Sequence, residues 1–222
     1  MIETSGEIHD AADGGGYLAH AVLDANALAS IRETNTGFLA LVAERHAARP
    51  GAGLFGLSAV ATAAIASLDA VGRRAAAGCP YTLFNLRFED GAFWSAVARD
   101  PDLAGSGCVS DEATFARTAV FLAWHLARSS ELTAALVLGM TSPVQRAWRR
   151  LPLSALDRAA TLALPHLAAR WGDHPGFWPK LLDASAPVDG GRADSARLLG
   201  LQLMAAEGIG AAATAGEARP VG

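Results

Sequence analysis

The chain has 222 residues, of which 51% are hydrophobic and 18% are charged, so it is long and apolar enough to bury a substantial core. Its net charge of −4 argues against a surface that is basic throughout, and its two cysteines are too few for a disulfide framework or a cysteine-based metal centre. The acidic N-terminus is unlike a signal peptide, and no apolar run reaches the roughly 18 residues of a membrane span, so we expect a cytoplasmic protein.

The first half of the chain is predicted to be mostly helical. Apolar residues recur near helical spacing over 17–48, and Asn35-Thr36-Gly37 leaves open whether this span is one helix or two. A second helical span is predicted at 57–77, where an aspartate at position 69 is a candidate start for a separate helix. The β-rich, aromatic segment YTLFNLRF at 81–88 is the one credible strand, and a short helix follows it at 92–99.

The second half of the chain begins with a loop at about 100–112. The remainder is predicted to be helical in five segments, at about 112–138, 142–150, 154–168, 175–184 and 194–207. The last segment, GAAATAGEARPVG, is expected to be a frayed tail.

An internal repeat relates the two halves of the chain. A shift of 83 positions carries Gly56 onto Gly139, and the same shift carries the FLA at 38–40 onto the FLA at 121–123. With one inserted residue, the aromatic pair at 93–94 also falls on the pair at 177–178. Self-similarity of this kind predicts two copies of one structural unit, which would bury the same apolar face against each other as a pseudo-twofold pair.

The stretch LVLGMTSPVQRAWRRL at 136–151 predicts a helix, a tight turn and a second helix. Gly139 suits the left-handed conformation that closes a helix, Ser142 can cap the next helix, and Pro143 suits its first position. Four side chains on the second helix are candidates for contact with nucleic acid: Gln145, Arg146, Arg149 and Arg150. The opposite, core-facing stripe is Val144, Ala147, Trp148 and Leu151.

The sequence leaves the role of these arginines open between a solvated basic face, a nucleic-acid contact and a protein interface. Their counterpart in the first copy, SAVATAAIASL at 58–68, carries no charge and is expected to pack inside the fold. Histidines are scattered outside any metal-binding pattern, and His125, on an apolar helix face, is expected in the core. No nucleophile triad, paired-carboxylate site or nucleotide loop is evident, so we expect no catalysis, no cofactor and no metal.

Three segments of the first copy carry a family resemblance: IRETNTGFLALVAERHA (31–47), FGLSAVATAAIASL (55–68) and NLRFEDG (85–91). In the second copy, residues 121–160 and ARWGDH (169–174) carry it. Through these segments each copy resembles the flagellar transcriptional activator subunit FlhD. The glycine followed by an apolar and a small hydroxyl residue is similar to the turn of that family, and Arg-Phe-Glu-Asp is similar to its strand end.

The resemblance implies an all-α protein in which two similar FlhD-like units, each with at most one short strand, pack as an internal pseudo-dimer. It also implies a transcriptional regulator subunit that acts with a partner such as FlhC, which carries zinc and much of the DNA contact. Higher homo- or hetero-oligomers are compatible with it. The alternative is an adaptor or assembly protein that uses the same fold for protein–protein contact without binding DNA.

The chain departs from the FlhD family at two points. The family position of an intersubunit cysteine falls on Phe84 and Leu167, so that disulfide is absent, and ALPHLAARW in the second copy is helical in composition where a strand is expected. The resulting organisation is a disordered N-terminus at 1–16, a first FlhD-like unit at 17–100, a linker at 101–111, a second FlhD-like unit at 112–185, and a C-terminal helix with a flexible tail at 186–222.

Overall fold

The computed structural model describes residues 23–99, 109–184 and 190–217. Within these residues the regular structure is helical apart from one two-stranded sheet, which confirms the all-α class. The first half holds α1 (Ala25–Ala48), α2 (Ala59–Ser67), α3 (Ala70–Ala76), β1 (Phe84–Asn85) and α4 (Gly91–Arg99). The second half holds α5 (Asp111–Ser129), α6 (Glu131–Leu138), α7 (Ser142–Arg150), α8 (Leu156–Ala163), β2 (Ala168–Ala169), α9 (Phe177–Ala184) and α10 (Gly190–Glu217).

Helix α1 is continuous through Asn35, which settles the question of one helix or two. Asp24 caps the helix by accepting the Ala27 N–H at 2.7 Å. Asn35 is buried and binds the segment around β1, because its amide donates to the Tyr81 carbonyl at 2.8 Å and its oxygen accepts the Leu83 N–H at 2.9 Å. A residue that could have interrupted the helix therefore fastens it to the strand segment.

Helices α1 and α5 pack against each other in antiparallel directions. The rings of Phe38 and Phe115 lie 5.7 Å apart, and Arg45 near the end of α1 forms an ion pair with Glu112 near the start of α5. Both phenylalanines are buried. The two rings belong to the hydrophobic core of the fold.

The span 57–77 consists of two helices, because Asp69 caps α3 by accepting the Gly72 N–H at 2.7 Å. The expectation that 58–68 packs inside the fold is wrong. Only Ala61, Thr62 and Ile65 of α2 are buried, and the side chain of Val60 is 81% exposed. The absence of charged residues from α2 is therefore not a sign that the helix is buried.

The sheet corrects two expectations about strands. Only Phe84 and Asn85 of the predicted strand at 81–88 have strand structure, and they pair antiparallel with Ala169 and Ala168. The segment around β2 was expected to be helical from its composition. Its backbone instead makes long-range bonds, including the Ala169 N–H to the Phe55 carbonyl at 2.6 Å, and these tertiary contacts override helix propensity.

In the second half, Ser130 divides the predicted helix 112–138 into α5 and α6. Its N–H donates to the Leu126 carbonyl, and its hydroxyl accepts the Thr133 N–H at 3.2 Å. The predicted helix 154–168 is interrupted by two 3-10 turns and by β2. Segments 92–99, 142–150 and 175–184 are helical within one or two residues of their predicted bounds.

The C-terminal helix α10 is longer than the predicted 194–207, and the expectation of a frayed tail is wrong for 210–217. It packs on α9 and on Tyr81, whose hydroxyl donates to the Arg197 carbonyl at 3.2 Å. A Cβ at Gly200 would lie 2.0 Å from that hydroxyl, so glycine permits this close approach. The predicted disordered segment 1–16 and most of the predicted linker 101–111 lie outside the described residues.

The spacing of 83 residues recurs in the geometry of the two halves. Gly56 and Gly139 have φ values of +79° and +72°, and the helices after them, α2 and α7, begin and end at positions 83 apart. The strand pair Asn85 and Ala168 is also separated by 83 positions. Across the residues that the structure describes, no helix is long and apolar enough to cross a bilayer.

Candidate nucleic-acid interface

The turn before α7 forms at Gly139, as predicted. Gly139 adopts the left-handed conformation at the end of α6, and its N–H donates to the Ala135 carbonyl at 3.0 Å. A Cβ at this position would lie 2.5 Å from Nη2 of Arg170, a side chain that is 4% exposed. Glycine is therefore required here both for its conformation and for the space it leaves.

Helix α7 begins one residue earlier than the capping prediction implies. Thr141 is the residue that precedes the helix, and its side chain makes no capping bond. Ser142 is already the first helical residue, so its predicted role as the cap is wrong, and Pro143 follows it in the first turn. Proline is favourable there because the first backbone N–H groups of a helix have no partner within the helix.

The predicted core-facing stripe of α7 is confirmed, because all four of its residues are buried. Trp148 is the largest of them, and its ring centroid lies 4.2 Å from that of Trp94 and 6.0 Å from that of Phe88. The two partners belong to the first half of the chain. The stripe thus fixes α7 against α4 and presents the other side of the helix to solvent.

Gln145 does not reach the surface, contrary to the expectation that four polar side chains are available. It is only 3% exposed, and its amide nitrogen donates to the carbonyls of Glu131 and Met140 at 3.0 and 3.1 Å. Those bonds tie α7 to the start of α6 and to the turn. Gln145 is therefore a structural residue and is withdrawn from the candidate interface.

Arg149 is partly exposed but engaged with α5 and α6. Its Nε donates to the Ala127 carbonyl at 2.9 Å, and its Nη1 lies 2.6 Å from a carboxylate oxygen of Glu131. Next to it, Arg128 donates to the Arg149 carbonyl at 3.2 Å and stacks over the ring of Trp124. Arg149 can contribute charge to this side of the molecule, but part of that charge is compensated by the carboxylate.

Arg146 and Arg150 remain as the exposed members of the predicted set. Neither forms an ion pair within residues 23–99, 109–184 and 190–217. They lie one helical turn apart, so both guanidinium groups can reach neighbouring phosphates. Arg128, which sequence reasoning missed, adds a third exposed positive charge; its spacing of four residues from Trp124 was the available signal.

The exposed face of α7 has a counterpart of different chemistry on α2. Arg146 and Arg150 correspond to Ala63 and Ser67 at the spacing of 83, and all four side chains are exposed. The same surface position is therefore basic in one half and uncharged in the other.

Other chemically active side chains are sparse in the described part of the chain. Cys79 is fully buried, and burial raises the pKa of its thiol to about 11. Burial also raises the pKa of Tyr81 far above its usual range. His125 is exposed, so its expected place in the core is wrong. Among residues 23–99, 109–184 and 190–217, no three histidine, cysteine, aspartate or glutamate side chains are placed to hold a metal ion.

Comparisons with protein-family models, with curated proteins and with solved structures found no match to this chain. The features of the chain that bear on function are therefore the relation between its two halves and the two exposed arginines of α7.

Proposed function

We propose that the chain is a tandem FlhD-like transcriptional regulator subunit, in which two similar units pack as an internal pseudo-dimer and act in the cytoplasm through a protein partner. The observation that carries the proposal is the pairing of Asn85 with Ala168 in an antiparallel sheet. These residues are equivalent under the shift of 83, so a pseudo-twofold axis would pass between them. Antiparallel pairing of equivalent residues is what a twofold relation requires.

Contacts between the halves support this arrangement because they are reciprocal. Helix α4 of the first half packs on α7 of the second, and α9 of the second half packs on α2 of the first. The N–H of Thr82 donates to the Val137 carbonyl across the halves, while the N–H of Ala169 donates to the Phe55 carbonyl in the other direction. Each half thus donates a backbone hydrogen bond to the segment just before the glycine turn of the other half.

In this proposal, nucleic acid is contacted through Arg146 and Arg150. The affinity of the full chain for a mixed-sequence DNA duplex, measured by fluorescence anisotropy, should fall about tenfold between 50 and 200 mM salt if two phosphates are neutralised. R146A/R150A should flatten that dependence. The matched control R32A/R74A removes two exposed arginines outside α7 and should leave it unchanged. Binding that is absent or insensitive to salt, with and without an FlhC-like partner, would contradict the DNA part of the proposal.

The alternative function, an adaptor that does not bind DNA, is supported because two of the four residues predicted to contact nucleic acid are not available. Gln145 is buried and Arg149 is paired with Glu131, which leaves a small basic surface on a chain of net charge −4. For an adaptor, R146A/R150A should leave both the complex with a co-expressed partner and any DNA affinity of that complex unchanged. A complex that keeps its partner but loses DNA affinity on R146A/R150A would favour the regulator instead.

A further inference from the structure

An open groove lies between α2 and α9, beside the contacts that join the two helices. It has a volume of about 490 Å³, and its walls include Leu57 and Val60 on one side and Trp178 and Leu182 on the other. The equivalent helices under the shift of 83, α7 and α4, pack closely against each other. There a Cβ at Gly91 would lie in van der Waals contact with Pro143 and Val144.

The rim of the α2–α9 groove is acidic. Asp173 and Asp183 line it, both are exposed, and neither forms an ion pair within the described ranges. Helix α2 carries no charged residue, and Lys180 of α9 is exposed but does not line the groove. An occupant should therefore combine apolar side chains with two positive charges.

The chain itself carries a surface of that composition. We define the α7 face as Pro143, Arg146, Arg150 and Leu153; all four are exposed, and the side chain of Leu153 is 59% exposed. The two apolar residues flank the two arginines, which lack ion-pair partners among the described residues. The apolar residues of the α7 face thus match the apolar walls of the groove, and its positive charges are opposite in sign to the carboxylates of the rim.

We propose that the α2–α9 groove binds the α7 face of a second copy of the chain. Pro143 and Leu153 pack on the apolar walls, and Arg146 and Arg150 pair with Asp173 and Asp183. Because the two surfaces differ, the contact is heterologous and each bound copy leaves one groove and one α7 face free. Association therefore continues beyond two copies as concentration rises. The surfaces are small, so the association is expected to be weak.

Light scattering of the full chain over a concentration series tests this directly, in the absence of DNA. The weight-average mass should start near the 22.8 kDa of one chain and exceed twice that value at high concentration. Rising salt should lower it. The charge-reversed chains R146D/R150D and D173R/D183R should each remain single chains, and mixing them should restore association. The proposal is overturned if the mass stays at the value of one chain at every concentration, or if both charge-reversed chains still associate.

A second pair of variants tests the apolar part of the contact. Val60→Glu places a carboxylate in the groove and should weaken association at least tenfold. Val71→Glu is the matched control, because Val71 is 61% exposed and does not line the groove. Both positions are at the surface, and circular dichroism verifies that each variant is folded. Equal effects of the two variants would contradict the assignment. Because no DNA is present, these outcomes do not depend on the proposed function.

Discussion

Replacing Gly56 and Gly139 with alanine should cost unequal amounts of stability, although the two glycines have nearly the same backbone conformation. Their φ values of +79° and +72° impose a penalty on any residue with a Cβ, about 1–2 kcal/mol in each case. At Gly56 this is the main cost, because an added Cβ would meet no atom within 4 Å. We therefore expect Gly56→Ala to lower the free energy of unfolding by about 1–2 kcal/mol.

At Gly139 the added Cβ also displaces Arg170. The guanidinium of that residue donates to the Val137 carbonyl at 3.0 Å and pairs with Glu207 at 2.8 Å. Weakening hydrogen bonds of a buried charged group adds about 1.5–3 kcal/mol. Gly139→Ala should thus cost about 2.5–5 kcal/mol in total, taking both contributions together.

Urea denaturation followed by tryptophan fluorescence measures both variants. With a slope of about 2 kcal/mol per molar urea, Gly139→Ala should lower the midpoint by about 1 M more than Gly56→Ala does. In a Glu207→Gln background the excess cost at Gly139 should shrink, since one of the displaced contacts has already lost its charge. Costs that agree within about 0.5 kcal/mol, or a larger cost at Gly56, would refute the assigned role of Arg170.

Three further outcomes are expected. Backbone N–H groups, chiefly that of Phe93, hold the pKa of Asp90 below its usual value, so Asp90 stabilises the fold above about pH 4 and this stabilisation is lost as the pH falls through its folded-state pKa. Asp90→Ala should therefore cost about 1 kcal/mol at pH 7, and urea midpoints of variant and parent should converge toward pH 2. In a Cys108→Ser background, Cys79 should react with a thiol reagent at pH 8 only after denaturation, because burial raises its pKa to about 11; rapid labelling of the folded chain would argue against that burial. Gln145→Ala should cost about 1–3 kcal/mol in thermal unfolding while truncation of the exposed arginines of α7 stays within about 0.5 kcal/mol, and equal costs would contradict the burial of Gln145.

Local signals in the sequence predicted most of the helices and the turn before α7. Gly139 was identifiable because few residues other than glycine readily close a helix in the left-handed conformation. The core-facing stripe around Trp148 followed from helical periodicity. These features depend on residues close together in the chain.

The errors arose where distant residues decide the outcome. β2 forms because its backbone pairs with β1 and its Ala169 N–H donates to the Phe55 carbonyl, and the alanine-rich surroundings of β2 do not reveal these partners. The burial of Gln145 cannot be predicted from the sequence, because its acceptors, the carbonyls of Glu131 and Met140, are brought to it only when α6 and α7 pack together. Val60 is exposed because it lines the open groove between α2 and α9, which a helix without charges does not indicate.

The central claim is that α2 and α7 occupy equivalent positions and that the two arginines of α7 distinguish their functions. Transplanting those arginines onto α2 tests both parts. The chain with R146A/R150A should lose most of its salt-dependent affinity for a DNA duplex, and adding A63R/S67R to the same chain should restore much of it. Affinity that R146A/R150A leaves unchanged, or that the transplanted arginines fail to restore, would contradict the account.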